Sequence, residues 1–345
     1  MGALKMRNLK PQLGGPTKGD RVRVTKRRAG RAAAIAAAAS LVLAACGGGD
    51  INESASTSTS SEAECGEFNM AINPWVGFEA SAYVVGEVAA QELGCDTNYL
   101  DLKEEIAWQG FGTGKVDVVI ENWGHEDLKK EYVEKQETAV VVGPNGNVGV
   151  IGWYIPPWLA EAHPDIVDNW ENLNNYVDEF STAETGDKGQ LLDGDPSFVT
   201  NDEALIENLG LDFEVVYAGS EAALIQAFRN AEENQEWVIG YFYEPQWFLS
   251  EVPLVKVDLP PWEEGCDADP ATVACDYPEY ILDKIASADF MASGSPAADL
   301  VSNFTWTNED QNQVALYIAN DGMTGEDAAQ KWIDDNPDKV AAWLP

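Results

Sequence analysis

The chain has 345 residues and a formal net charge of -38, with 59 acidic against 21 basic side chains and two histidines. A surface this acidic repels nucleic-acid phosphates and anionic lipid headgroups, which excludes charge-driven binding to either. Hydrophobic residues make up 45% of the chain, enough for the cores of two ordinary domains, so global disorder is excluded as well.

Charge is unevenly spread. Ten of the 21 basic residues precede Cys46, leaving 11 against 58 acidic residues after it. Arg21 to Arg31 is a basic stretch, and Ala32 to Ala45 is an apolar run too short to span a bilayer as a helix, so residues 1–45 read as a signal peptide. Its end, Leu43-Ala44-Ala45-Cys46, resembles the lipobox of bacterial lipoproteins. The resemblance implies that Cys46 is lipidated and holds the protein at the outer face of the bacterial cell membrane. Residues 46–64, rich in Gly, Ser, Thr and acids, read as a flexible tether.

Four cysteines remain, Cys65, Cys95, Cys266 and Cys275, an even number in an oxidising compartment. Three pairings are possible. The expected one joins Cys65 with Cys95, from a first strand to the start of the next, and Cys266 with Cys275 across a short acidic loop. No CxxC pair supports a zinc site, and neither metal nor cofactor is expected.

From Cys65 onward strand-like and helix-like segments alternate. Phe68 to Ile72 is expected as a strand, Glu79 to Leu93 as a helix, Thr97 to Leu100 and Lys115 to Glu121 as strands. The rhythm returns with a helix over Ser220 to Asn230 and a strand over Glu236 to Tyr241. Between them, Val140 to Pro157 is an apolar run broken by Gly and Pro, and Val252 to Pro261 is again extended; both are candidate crossings between domains. Two helices close the chain, one capped by Thr307 or Asn308 and one by Thr324. The expected architecture is α/β with two domains, residues 65–148 plus 252–345 and residues 149–251, two interdomain crossings and a ligand cleft between the domains.

Aromatic residues mark the strand ends. Trp75 in NPWVGF follows the first strand, Trp123 in ENWGH follows another, Trp153 and Tyr154 lie in GWYIPPW, and Tyr243 lies in YEPQW. In order, and together with the loop LLDGDPSFVTND and the C-terminal AAQKWIDDNPDKVAAWLP, these segments resemble the glycine betaine, proline betaine and choline binding proteins of ABC importers. The resemblance covers roughly residues 65 to 345. It implies a periplasmic-binding-protein-like fold of type II, a monomer without catalytic residues, and ABC permease and ATPase subunits as partners. It also implies an aromatic cage for a quaternary ammonium built from Trp75 and Trp123 on one domain and Trp153 and Tyr243 on the other, with Tyr154 competing for the place of Trp153. Where the family has a Trp in the last turn, this chain has Tyr243.

The residue types suit that chemistry, because a quaternary ammonium donates no hydrogen bond and is held by the negative faces of aromatic rings. A ligand carboxylate would need donors, and Arg229, the only Arg after Cys46, lies within a helix and is expected at the surface. Backbone N–H groups near Ser197 and Asn201 are the candidates, whereas for choline a carboxylate such as Glu79 or Glu121 would complement the cation. Two rival readings stay open: a binding protein for another small solute, such as a sugar or amino acid, in the same fold, and an exported glycoside hydrolase. For the second, 58 acidic residues make any carboxylate pair uninformative.

Overall fold

The structure, a computed structural model, describes residues 65–198 and 200–345; the expected signal peptide, Cys46 and the expected tether lie outside the described residues. Among the described residues nine strands form one mixed sheet: β1 (Glu67–Ile72), β2 (Asp96–Asp101), β3 (Val118–Asn122), β4 (Ala139–Ile155), β5 (Gly189–Asp193), β6 (Phe213–Tyr217), β7 (Ile239–Glu244), β8 (Val255–Lys256) and β9 (Glu279–Ser287). Their order is β2-β1-β3-β9-β4-β7-β5-β6, with β8 beside β4.

The two ends of this sheet repeat one plan. In each, three parallel strands are flanked by one antiparallel strand, β9 beside β3 in the first half and β4 beside β7 in the second. The 17-residue β4 serves both halves: Ala139 to Val150 pair with β9, and Val150 to Tyr154 pair with β7. The Gly and Pro residues that break its sequence pattern produce register shifts between Val141 and Gly143 and between Pro144 and Val148, and the strand continues through them. The segment Val252 to Pro261 stays with the second half, where Val255 and Lys256 pair with Ile155 and Tyr154; β9 is the strand that runs back beside β4.

Helices cover the sheet: α1 (Val76–Leu93), α2 (Glu104–Thr113), α3 (Asp202–Leu209), α4 (Glu221–Asn234), α5 (Pro296–Asn303), α6 (Asn308–Ala319), α7 (Gly325–Asp335) and α8 (Pro337–Trp343). Sequence signals placed several of their ends. Ser220 caps α4, Thr307 caps α6 in a reciprocal box with Asp310, and Thr324 caps α7. Helix α1 starts three residues earlier than its first acidic residue suggests, because Trp75 takes the cap position with extended backbone and no side-chain cap of its own.

Most tryptophans fill the core. Trp332 and Trp343 stack with ring centroids 5.6 Å apart, and Trp306 meets Trp332 edge to face. Cys65 is bonded to Cys95, tying the start of β1 to the residue before β2, and Cys266 to Cys275, closing the acidic loop. Among the described residues no helix is long and apolar enough to cross a membrane.

Candidate ligand cage

Open α/β sheets expose their loops at the carboxyl ends of parallel strands, and a small cavity lined by aromatic rings lies there. Its volume is about 50 Å³. From the first half come Trp75, just after β1, and Trp123, just after β3. From the second come Ile151 of β4, Tyr241 and Tyr243 of β7, and Phe198 of the loop after β5. Tyr280 of β9 borders the same space.

The rings contact one another in sequence around the cavity. Trp75 meets Phe198 at 5.8 Å and 84°, Phe198 meets Tyr241 at 6.1 Å, Tyr241 meets Tyr243 at 5.9 Å, and Tyr243 meets Trp123 at 5.7 Å and 86°. Tyr280 adds a further ring 5.9 Å from Trp123. Trp75 with Phe198 and Tyr243 with Trp123 are edge to face, a favoured geometry for aromatic pairs, and the other contacts are tilted. Gly149 makes room for one of them, since a β-carbon there would lie 2.5 Å from the Trp123 ring.

Glu121 closes the circuit from behind. It is fully buried at the end of β3, and its Oε1 accepts the indole N–H of both Trp75 and Trp123 at 2.9 Å. Its Oε2 accepts from Gln311 at 2.7 Å and from Ser81 at 3.1 Å. Burial raises its pKa, and the four donated bonds oppose that shift. Glu121 therefore orients two walls of the cavity and does not line it, which corrects the expectation that it meets the ligand's cation directly.

A second buried carboxylate ties the halves together. Glu221, in the first turn of α4, accepts from the backbone N–H of Val76 at 3.0 Å, from Gln246 at 2.7 Å and from the Tyr243 hydroxyl. It supplies the cap that α1 lacks, with the helix dipole favouring its charge. Burial raises the pKa of Glu221, and the same donors pull it back. The Tyr243 hydroxyl is pushed well above its ordinary value, by burial first and by Glu221 next, so it stays a neutral donor.

Not every expected residue reaches the cavity. Trp153 lies 1% exposed opposite Tyr241, with its indole donating to Asp202 at 2.8 Å; on that face of β4 it is Ile151 that lines the space. Asp202 is pushed up to about 7, by burial and by the nearby Asp193, against bonds from Trp153 and Tyr277. Tyr154 points to the opposite face, against Phe242. The Ser197 N–H and hydroxyl both bond Asp195, and the Asn201 N–H bonds the Tyr277 hydroxyl, so the loop after β5 contributes the Phe198 ring to the cavity and not those donors. Arg229 pairs with Glu251 at the surface.

The polar side of the cavity was not legible beforehand. Glu104, at the first position of α2, and His125, in a left-handed conformation after Gly124, both border it and pair at 2.7 Å. Among the described residues there is no cluster able to hold a metal ion.

Comparison with known proteins gives the family and the fold. Residues 66–335 match the family described as the substrate binding domain of ABC-type glycine betaine transport systems. A trimethylamine N-oxide-binding protein from Pelagibacter ubique is 26% identical over 291 residues, covering 79% of this chain and 87% of that protein. Two solved structures share the fold. One is the lactococcal OpuAC closed with glycine betaine (TM-score 0.64, 22% identity, 81% of this chain and 99% of that one). The other is an ABC-transporter choline binding protein with choline (TM-score 0.65, 18% identity, 81% and 91%). The two-domain periplasmic-binding-protein-like α/β fold expected from the sequence is the fold of these structures. The chain belongs to the family of substrate-binding domains of ABC-type glycine betaine transport systems, and is a binding protein for transport, not an enzyme.

Proposed function

We propose that the protein captures a small quaternary ammonium compound in the ring-lined cavity and delivers it to the permease and ATPase subunits of an ABC importer. The observation that carries this reading is the closed circuit of Trp75, Phe198, Tyr241, Tyr243 and Trp123, with both indoles held by Glu121. Each desolvated ring face contributes about 0.5 to 2 kcal/mol to a bound cation. The ligands named for the relatives, glycine betaine, choline and trimethylamine N-oxide, share a trimethylated nitrogen, whose positive charge suits ring faces.

Trp75, Trp123 and Tyr243 are the proposed ligand contacts that were also expected from the sequence; Phe198, Tyr241 and Tyr280 join them, and Trp153 supports from outside. The protein works as a monomer of two lobes that close on the ligand, with the bounds expected from the sequence, residues 65–148 plus 252–345 and residues 149–251, changed at the return crossing. Because Val255 and Lys256 pair with the second half, we place the return crossing at β9. Export by residues 1–45, lipidation at Cys46 and the tether 46–64 put this body outside the cell, anchored at the membrane's outer face.

Titration of the purified protein with glycine betaine, proline betaine, carnitine, choline and trimethylamine N-oxide, followed by calorimetry and tryptophan fluorescence, tests the reading. Saturable binding of at least one is expected. Binding of none of them, with binding of a sugar or an amino acid instead, would overturn it.

A further inference from the structure

The ring faces account for the cation, and what the cavity does with the rest of a ligand depends on the donors left free around it. Several are already taken, whereas the hydroxyls of Tyr241 and Tyr280, which also line the cavity, bond nothing among the described residues. Both indole N–H groups go to Glu121, and the Tyr243 hydroxyl and the Val76 N–H go to Glu221. Arg229 is held by Glu251 away from the cavity. The side chain left at the cavity that can carry positive charge is that of His125.

Its surroundings favour the charged form. Nε2 of His125 lies 2.7 Å from Oε1 of Glu104, both side chains are nine-tenths buried, and Glu104 sits in the first turn of α2 where the helix dipole favours its negative charge. Burial acts to lower the His125 pKa, yet the charge of Glu104 and its hydrogen bond outweigh that, with Asp127 adding to them, and the net direction is upward. The ring's other nitrogen, Nδ1, bonds nothing among the described residues. In an imidazolium it is a donor without a partner, on a side chain that lines the cavity together with Glu104, Ile151 and the rings.

Resting on the cage reading, we propose that His125, held by Glu104, binds an anionic oxygen of the ligand. The protein is then selective for a zwitterion, a quaternary ammonium that carries a carboxylate or N-oxide oxygen, over a plain cation. A zwitterion places its cation against the rings and its oxygen against Nδ1. A plain cation such as choline offers no anion to His125, and the Glu104 charge that could attract it is already neutralised by the imidazolium.

The test compares glycine betaine, trimethylamine N-oxide and choline by calorimetry on the wild-type protein and on His125→Gln, with thermal melts of both. The wild type should bind one or both zwitterions at least about tenfold more tightly than choline. His125→Gln should lower zwitterion affinity about tenfold or more and leave choline nearly unchanged. Glu104→Gln, which removes the group that holds the imidazolium, should shift the same ratio in the same direction and covers the case in which the His125 variant does not fold. Comparison of the two zwitterions then shows whether the oxygen is a carboxylate or an N-oxide. If choline binds the wild type as tightly as the zwitterions, or if the variants weaken all three ligands equally, this inference is overturned while the cage stands. If none of the three binds, it falls together with the proposed function.

Discussion

The Glu221 carboxylate accepts the backbone N–H of Val76 at 3.0 Å, joining residues 145 positions apart in the chain. One oxygen caps the helix that begins behind Trp75, and the other holds the hydroxyl of Tyr243, so a single side chain fixes a wall from each half. Replacing Glu221 with Ala leaves the Val76 N–H and the Tyr243 hydroxyl without an acceptor and Gln246 with only its bond to the Tyr243 hydroxyl at 3.2 Å. It should cost about 1 to 3 kcal/mol of stability and about tenfold in ligand affinity. Chemical denaturation and calorimetry on the same samples check both, and an unchanged affinity would argue that the contact is only structural.

Glu121 makes a sharper case. In Glu121→Gln the amide would turn a donor towards positions now occupied by the N–H groups of Trp75 and Trp123 or by Gln311 and Ser81. The indoles should lose their fixed orientation, with a stability cost of about 1 to 3 kcal/mol. Tryptophan fluorescence of the ligand-free variant should differ from wild type, and its quenching by ligand should shrink. Wild-type spectra and wild-type affinity together would show that Glu121 does not position the rings.

Gly149 tests the same ring from the other side. The added methyl group in Gly149→Ala would lie 2.5 Å from Trp123, so the indole must shift. We expect about a tenfold loss of affinity with β4 intact and a modest fall in melting temperature, since overpacking costs about 1 to 3 kcal/mol. An affinity equal to wild type would mean that the position of Trp123 is not critical.

Asp202 gives the protein a pH dependence of known sign. Its folded pKa of about 7 exceeds the ordinary 3.8, so between these values the folded state binds more protons than the unfolded state. This group's contribution therefore falls as pH rises from about 4 to about 7. Asp202→Asn keeps an oxygen for the Trp153 and Tyr277 donors and removes the titration. Relative to wild type the variant should gain melting temperature at pH 7.5 and lose that advantage at pH 4.5. A constant difference across the range would contradict the assignment.

The legibility of this site in the sequence followed how local each signal was. Trp75 and Trp123 stand directly after strands, where a strand-to-loop pattern alone puts them at the ligand face. Alternation along IGYFYE sends Tyr241 and Tyr243 to one side and Phe242 to the other, and the structure brings the two tyrosines to the cavity. Trp153 misled because it has the right face but lies one pleat beyond Ile151, a distance set by the pairing of Ile151 with Tyr243. Tyr280 and Glu104 reach the site only through the pairing of β9 and the placing of α2, which no local pattern encodes. Phe198 lay inside a loop read for its polar residues. The fold was plainer, since β/α alternation and caps such as Thr307 and Thr324 are local, whereas β4 was obscured by the Gly and Pro residues it carries through its bulges.

The central claim is that ring faces, and not merely an apolar hollow, hold a cation. It is tested most directly by comparing glycine betaine with 3,3-dimethylbutyrate, in which a neutral carbon replaces the positive nitrogen and the carboxylate and shape are kept. Calorimetry should show the charged ligand bound at least about tenfold more tightly, the difference expected when desolvated rings face a cation. Equal affinities for the two would contradict the account.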